Sequence, residues 1–303
     1  MTWTRRRFLR TAGLASVATL AGCGSRVRIP AEGIRGRTLR LVFYVDVHAK
    51  PGVEDALAEA AEAIDGQRAD LVIAGGDMVA AGAELSWPEV AQDWAVYAGM
   101  RSRLRADVRH VLGNHDLVGP PAEIAGGADP RAAYRRELEV AETFYSFDAA
   151  GYHVVVLDSV ELEGAGPDYR GYVGGDQLDW LRADLDRVGR SRPIVVASHM
   201  PLRTGFFRDR GIDRAPPDRV VVNADEVLDA FEDRNLVCVL QGHLHVAEVL
   251  QLGGVAFLTG GAVCGRWWSG SFEGTEPGFA IVTLRPDAVD FRYVGYGEAG
   301  AKA

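Results

Sequence analysis

Histidine, aspartate and asparagine recur at the ends of short apolar runs that lie far apart along this chain. Five places share this feature: Asp46-x-His48, Gly76-Asp77, Gly113-Asn114-His115-Asp116, His199 and Gly242-His243-x-His245. They hold five of the seven histidines of the chain. Imidazole, carboxylate and amide oxygen are ligands for divalent or trivalent ions such as Mn, Fe and Zn. The residue types therefore indicate a metal site assembled from distant parts of the sequence.

The number of candidate ligands points to two ions. It exceeds what one tetrahedral zinc takes, and a dinuclear site needs a group that bridges ions roughly 3.5 to 4 Å apart. Asp77, alone at the end of its run, fits the bridging role. Side chains at i and i+2 of a strand share one face, which would aim Asp46 and His48 into one cleft. The same spacing applies to His243 and His245.

The elements that must position these residues can be read from the periodicity. The patterns predict strands at 39–48, 69–77, 107–116, 193–201 and 236–245, helices at 52–66, 87–104, 174–189 and 224–235, and hairpins at 144–159 and in the last third. Alternating strands and helices favour a parallel or mixed sheet with covering helices. Active sites of such sheets lie beyond the carboxyl ends of the strands. His110 and His153 fall inside strand patterns and are interpreted as structural, and the Gly/Pro-rich loop 119–130 as a rim or lid.

Any of these polar residues alone would more often be a turn or capping residue than a ligand. The coincidence of five strand ends favours the metal interpretation.

The first residues have the layout of an export signal. A cationic segment with Arg5, Arg6, Arg7 and Arg10 precedes a short stretch of small and apolar residues that ends before Cys23. The segment "TRRRFLR" resembles a twin-arginine motif and "LAGC" a lipoprotein box. We expect a signal peptide at 1–22, lipidation of Cys23, a flexible tether at 23–38 and one catalytic domain at 39–303. An uncleaved anchor or a disordered tail is the alternative.

Composition narrows the partners of the protein. The 303 residues are 48% hydrophobic and 25% charged, which is ordinary for a globular protein. Loss of the signal, with four arginines and no acids, would change the formal charge from −9 to −13. A chain with this negative charge is not expected to bind nucleic acid, or to bind anionic lipid through charge. Membrane contact is therefore expected only through the lipid anchor. Cys238 and Cys264 could form one disulfide, but two buried thiols are favoured.

Taken together, the ordered motifs over about residues 39–290 resemble those of the calcineurin-like metallophosphoesterases. The resemblance implies an α/β fold, a four-layer αββα sandwich of two mixed β-sheets flanked by helices, with the metal site at the C-terminal strand ends. It implies a hydrolase of phosphate mono- or diesters in which a hydroxide bridging two metal ions (Mn, Fe or Zn) attacks phosphorus. Together with the N-terminal signal, this predicts an exported enzyme. Ala80 stands where purple acid phosphatases carry a tyrosine ligand, which argues against a tyrosinate–iron(III) site.

The resemblance also implies roles for individual residues. The two expected ligand sets share Asp77 as the bridge: Asp46, His48, Asp77 and His245 for one metal, and Asp77, Asn114, His199 and His243 for the other. His115 is expected to protonate the leaving oxygen, with Asp116 orienting its ring.

The substrate is less well defined by the sequence. The segment 260–274 follows the last motif, so Arg266 could pair with phosphate while Trp267 and Trp268 stack a base or sugar; packing of both tryptophans in the core is the alternative. Arg203 is a second candidate cation. Alternative functions are a cyclic-nucleotide or nucleotide phosphodiesterase or pyrophosphatase, and a metal-binding scaffold or sensor without turnover.

Overall fold

The computed structural model describes residues 16–19, 26–31, 37–80, 82, 85–164 and 168–296. Cys23 and most of the predicted signal peptide lie outside these residues. Within the described ranges, no helix is both long enough and apolar enough to cross a lipid bilayer.

Most strands are short apolar segments. In chain order they are β1 (Ser16–Thr19), β2 (Arg26–Pro30), β3 (Leu39–Tyr44), β4 (Leu71–Ala74), β5 (Val108–His110), β6 (Tyr145–Ala149), β7 (Tyr152–Leu157), β8 (Val160–Leu162), β9 (Tyr169–Gly171), β10 (Pro193–Ser198), β11 (Asn235–Gln241), β12 (Ala247–Leu252), β13 (Val255–Gly260), β14 (Gly278–Arg285) and β15 (Ala288–Gly295).

These strands build two large mixed sheets and a small hairpin. The first sheet has the order β1-β12-β13-β11-β10-β7-β6, and the second has the order β2-β15-β14-β3-β4-β5. Strands β7, β10, β11 and β13 run parallel in the first sheet, and β3, β4 and β5 run parallel in the second. The remaining pairs are antiparallel, and β8 pairs with β9.

Helices cover the outer faces of the two sheets. They are α1 (Glu54–Asp65), α2 (Trp87–Arg101), α3 (Pro121–Ala125), α4 (Ala132–Leu138), α5 (Gly175–Val188) and α6 (Ala224–Asp229). Helix α2 begins where a capping box is formed, since the Ser86 N–H donates to the Glu89 carboxylate at 2.8 Å and Pro88 occupies the first turn.

Both faces of the central strands are buried, which explains why they read as nearly continuous apolar runs. On β3, Leu41 and Phe43 pack between the two sheets, whereas Val42 and Tyr44 belong to the core beneath the helices. The layers are thus helix, sheet, sheet and helix, and the predicted fold class is confirmed.

Three local predictions need correction or trimming. Residues 26–30 form strand β2 against β15, so the predicted flexible tether is wrong for this stretch. The predicted loop 119–130 contains the short helix α3. Helix α6 ends at Asp229, six residues before the predicted end at 235. Cys238 and Cys264 are separate buried thiols, which confirms the favoured alternative.

Candidate dinuclear metal centre

The predicted ligands converge at the carboxyl ends of the parallel strands. On one side, His245 Nε2 lies 3.2 Å from His48 Nε2 and 3.5 Å from Asp46 Oδ1. The carboxylate oxygen Asp77 Oδ2 lies 3.6 Å from His48 Nε2, on the edge of the same group. These four side chains are buried, and their donor atoms face one another although up to about two hundred residues separate them along the chain.

A second group of donors lies on the other side of the same carboxylate. Asp77 Oδ2 is 3.3 Å from His199 Nε2, which is 3.2 Å from Asn114 Oδ1. His243 completes the group, because Asp77, His199 and His243 each offer a ligand atom within 4.8 Å of the others. One oxygen of Asp77 therefore lies between two sets of donors, where a bridging ligand belongs.

Most of these residues are not on strands but in tight turns just after them. Strand β3 ends at Tyr44 and β11 at Gln241, so strand alternation does not explain how the ligand pairs share a cleft. Instead, five ligand residues have positive φ angles: Asp46 (54°), His48 (47°), Asp77 (56°), His243 (70°) and His245 (55°). Such angles are uncommon for residues with a side chain, and they cluster at functional sites.

Two motif glycines are needed because side chains approach them closely. A Cβ on Gly113 would lie 2.2 Å from Asp77 Oδ1, and a Cβ on Gly76 would lie 2.3 Å from His199 Nδ1. Any larger residue would push the Asp77 carboxylate or the His199 ring out of place.

Backbone carbonyls fix the orientation of three of the four imidazoles. Each carbonyl accepts an N–H from the ring nitrogen that points away from the donor cluster: Gly75 from His199 Nδ1 (3.0 Å), Gly265 from His245 Nδ1 (2.7 Å) and Asp218 from His243 Nε2 (2.8 Å). This arrangement selects the tautomer whose other nitrogen is free to bind a cation.

The electrostatics of the cluster suit a bound cation. Asp46 and Asp77 are both buried, and the buried Asp46 Oδ1 has no hydrogen-bond partner within the described part of the chain. Burial alone would raise the pKa of Asp77, but the neighbouring imidazoles of His199 and His115 hold it well below its ordinary value. Burial likewise opposes protonation of His199, yet the charge of Asp77 raises its pKa to about 9. The carboxylates thus require positive charge, which metal ions would supply.

The donor set fits two metal ions on these grounds. The residues that would hold them are Asp46, His48, Asp77 and His245 on one side, and Asp77, Asn114, His199 and His243 on the other. Carboxylate, amide oxygen and imidazole donors are compatible with Mn, Fe or Zn.

His115 lies beside the cluster with one ring nitrogen available. Its backbone N–H donates to Asp77 Oδ1 at 2.8 Å, and its Nδ1–H donates to the Ala80 carbonyl at 2.9 Å. Nε2 is therefore the nitrogen left for a substrate in the adjoining cavity, which His115 lines. A proton donor at this place can reach a leaving oxygen.

Asp116 does not orient the His115 ring, so that prediction is wrong. Its buried carboxylate accepts N–H groups from the backbone of Asp77 (3.0 Å), Met78 (2.7 Å) and Gly113 (2.8 Å). Burial and the charge of Asp77 raise the pKa of Asp116 to about 7. The carboxylate ties two ligand-bearing turns to each other.

Replacing Asp116 with alanine should therefore destabilise the fold. Three buried N–H groups would lose their acceptor, and we expect the free energy of unfolding to fall by about 3 kcal/mol or more. Urea unfolding of the Asp116→Ala variant measures this. Unchanged stability together with lost activity would instead favour a role in orienting His115.

A cavity of about 300 Å³ opens above the donor cluster. Besides cluster residues and His115, its lining is largely aromatic and apolar with one arginine: Tyr169, Phe206, Phe207, Arg219, Leu244, Trp267 and Phe272. Most of these residues lie in the long connections after β10 and β13, which lack periodicity. Only Trp267 of this set was predicted from the sequence.

The residues predicted to contact the substrate lie in different surroundings, and only one of them lines the cavity. Trp267 lines the cavity, whereas Trp268 is buried and donates its indole N–H to the His48 carbonyl at 2.9 Å. Arg203 pairs with Asp225 and is not among the residues that line the cavity, so its phosphate contact stays a prediction without structural support. Arg266 is exposed and also lies outside the cavity lining. Arg219 is the cation that borders the cavity.

Glu248 on β12 holds the segment that forms one wall of the cavity. Its buried carboxylate accepts the Thr204 hydroxyl at 2.7 Å and the Gly205 N–H at 3.0 Å. Phe206 and Phe207 follow directly and line the cavity. The contact therefore connects the sheet to the aromatic wall.

Glu248→Ala should lower the free energy of unfolding by about 1 to 3 kcal/mol, because a buried N–H loses its acceptor. Glu248→Gln keeps an acceptor for Gly205 and should retain most stability.

Burial raises the pKa of Glu248, so the folded state binds this proton more tightly than the unfolded state. Stability from this group then falls as pH rises from its ordinary pKa through the raised one. The parent should therefore lose stability over that window while Glu248→Gln does not, so the stability of the variant relative to the parent in urea unfolding should rise with pH; a constant difference would contradict the assignment.

Comparison with known proteins agrees with the fold. The model of the calcineurin-like phosphoesterase family matches residues 39–247. The chain is 28% identical over 224 residues to the 3′,5′-cyclic adenosine monophosphate phosphodiesterase CpdA of Pseudomonas aeruginosa, covering 73% of this chain and 72% of that protein. It is 30% identical over 117 residues to purple acid phosphatase 18 of Arabidopsis thaliana, which covers 38% of this chain but only 23% of the relative.

A solved structure extends the likeness to nearly the whole fold. The dimetal phosphatase from Danio rerio superposes with a TM-score of 0.60 at 17% identity, covering 85% of this chain and 96% of that one. With a family model that spans well over half of its length, this chain belongs to the calcineurin-like phosphoesterases and is a hydrolase of ester bonds that uses a dinuclear metal centre.

Proposed function

We propose that the protein is an exported, lipid-anchored enzyme that hydrolyses phosphate mono- or diesters. The observation that carries the catalytic part is the position of Asp77 Oδ2 between two groups of donors, 3.6 Å from His48 Nε2 and 3.3 Å from His199 Nε2. His115 lies next to this carboxylate with Nε2 free. Ligands for two cations and a proton donor are thus combined at the floor of one cavity.

The metal ions, Arg219 and His115 would have different roles in the reaction. When bound, two metal ions would neutralise the phosphate oxygens and lower the pKa of the attacking water. Arg219 borders the cavity on the His243 side and can pair with a phosphate oxygen that points away from the cluster. With both ring nitrogens protonated, His115 would give its Nε2 proton to the leaving oxygen and become a neutral imidazole, while its Nδ1–H stays on the Ala80 carbonyl and holds the ring in place.

A metal-reconstitution assay tests this proposal. The protein is stripped with a chelator, reloaded with Mn, Fe, Zn or Mg, and assayed against para-nitrophenyl phosphate and its bis ester. We expect hydrolysis of at least one ester with at least one metal, and loss of activity on chelation. Metal binding without hydrolysis of either ester would favour a scaffold or sensor.

A nucleotide phosphodiesterase is the second candidate function. It is supported by the likeness to the cyclic-nucleotide phosphodiesterase over 73% of the chain. A higher kcat/KM for a cyclic nucleotide than for para-nitrophenyl phosphate would favour this candidate over a general monoesterase.

Export through the twin-arginine route is supported by the residues "TRRRFLR", and lipidation by "LAGC", whose Cys23 would be the first residue of the mature chain. Changing Arg6 and Arg7 together to lysine should retain the protein in the cytoplasm, measured by cell fractionation. Delivery of the double lysine variant to the envelope would exclude the twin-arginine route.

A Cys23→Ser variant should release the exported protein from the membrane fraction.

A further inference from the structure

Trp267 is placed above the metal cluster by an unusual loop conformation. Trp267 and Trp268 both have positive φ angles, 50° and 66°. Hydrogen bonds of Trp268 stabilise this strained backbone conformation. Its indole N–H donates to the His48 carbonyl, and its backbone N–H donates to the Cys264 carbonyl. The Arg266 N–H also donates to the Gly270 carbonyl, which closes the loop. Costly backbone geometry of this kind persists where the surroundings enforce it, often for function.

The Trp267 indole packs on imidazoles of the cluster, those of His48, His115 and His245, and still keeps about half of its surface exposed. Its ring packs against the His48 ring, with centroids 4.0 Å apart at 44°, and lies edge-on to the His115 ring at 5.1 Å. Yet the residue is 48% exposed, one of few large hydrophobic residues so exposed in the described chain. A large ring that lines a cavity and remains half exposed can pack against a second ring.

The cavity has two chemically different ends. Arg219 lies on the side of His243, where the carbonyl of neighbouring Asp218 holds the imidazole. Trp267 lies on the side of His48 and His115. A phosphate anchored towards the arginine would therefore present its leaving oxygen towards His115 and whatever is attached to that oxygen towards the indole.

We infer that Trp267 is the platform for a planar ring on the leaving group, so that the preferred substrates are phosphate esters whose leaving alcohol carries an aromatic ring. Stacking on the indole adds binding energy for such esters and none for compact aliphatic ones. This inference rests on the proposed function, because it assumes that His115 faces the leaving group.

The kinetic test compares two esters of similar leaving-group acidity, one aryl phosphate and one fluorinated alkyl phosphate. In Trp267→Leu, the aryl-over-alkyl ratio of kcat/KM should fall about 5- to 100-fold, chiefly through KM, as expected for the loss of one stacked ring. Trp267→Phe keeps a ring and should retain most of the preference. Trp180→Leu is the matched control, because Trp180 packs on Phe144 away from the cavity and should not change the ratio.

A binding measurement separates this inference from the proposed function. Calorimetry on the manganese-loaded protein compares an aryl phosphonate with an alkyl phosphonate, which bind without turnover. Tighter aryl binding that disappears in Trp267→Leu, with unchanged metal content, supports the platform even if no ester is hydrolysed; in that case only the catalytic proposal fails. Equal binding of both phosphonates, or a preference that survives in Trp267→Leu, would overturn the inference.

Discussion

Asp77→Asn is expected to lose one or both metal ions and to lower kcat/KM by about 10³-fold or more. One carboxylate oxygen lies between the two donor groups, at 3.3 Å from His199 Nε2 and 3.6 Å from His48 Nε2. An amide removes the negative charge that draws two cations together, and if its NH₂ group takes that position it cannot act as a ligand. Loss of metal charge stabilisation is worth several kcal/mol in the transition state.

Elemental analysis of the purified Asp77→Asn variant gives the metal content per chain directly. The matched control is Asp107→Asn, which changes an exposed carboxylate paired with Arg109. The control should keep both metals and full activity. If the Asp77 variant retained the same metal content as the control, Asp77 would not be the bridge.

His115→Ala is expected to keep both metals and to lose about 10²- to 10⁴-fold in rate, the usual contribution of a general acid. The loss should be larger for phenyl phosphate than for para-nitrophenyl phosphate, because the nitrophenolate leaves more easily without a proton. His115→Asn is the informative partner variant, since its amide can still donate to the Ala80 carbonyl but offers no proton donor equivalent to Nε2. Its activity should be as low as that of the alanine variant.

A purely structural role for His115 would give a different pattern. The asparagine variant would then recover much of the rate, and the loss would be equal for both leaving groups. Metal content measured on the same samples excludes an indirect effect through Asp77.

The sequence predicted which residues lie together in the donor cluster, and it did so from their types and their places after apolar runs. Asp46 and His48, for example, follow β3, whose two buried faces make the run easy to recognise. The sequence did not predict the backbone geometry of the turns that carry these residues. The pairs were expected to share a face through strand alternation, whereas positive φ angles in turns bring them together. Such angles depend on the packing around the turn and leave no periodic signal.

Residues that act from loops were harder to predict. Arg219 and the carbonyl of Asp218 lie in a long connection without periodicity, so nothing in the sequence linked them to His243. The family resemblance implied that Asp116 orients His115, yet its carboxylate accepts the backbone N–H of Met78, 38 positions away. The resemblance did not show that the fold brings these two turns into contact.

Strand β2 has a consequence for how the enzyme would meet its surroundings. It begins at Arg26, and the antiparallel pairs β2/β15, β15/β14 and β14/β3 put that beginning at the same edge of the sheet as the carboxyl end of β3. Only three positions separate Arg26 from Cys23, at most about 11 Å of extended chain. If Cys23 carries lipid, the cavity above the donor cluster would be held near the lipid headgroups. Phosphate esters at the bilayer surface would then have ready access to the cavity, whereas access for bulky soluble polymers would be hindered.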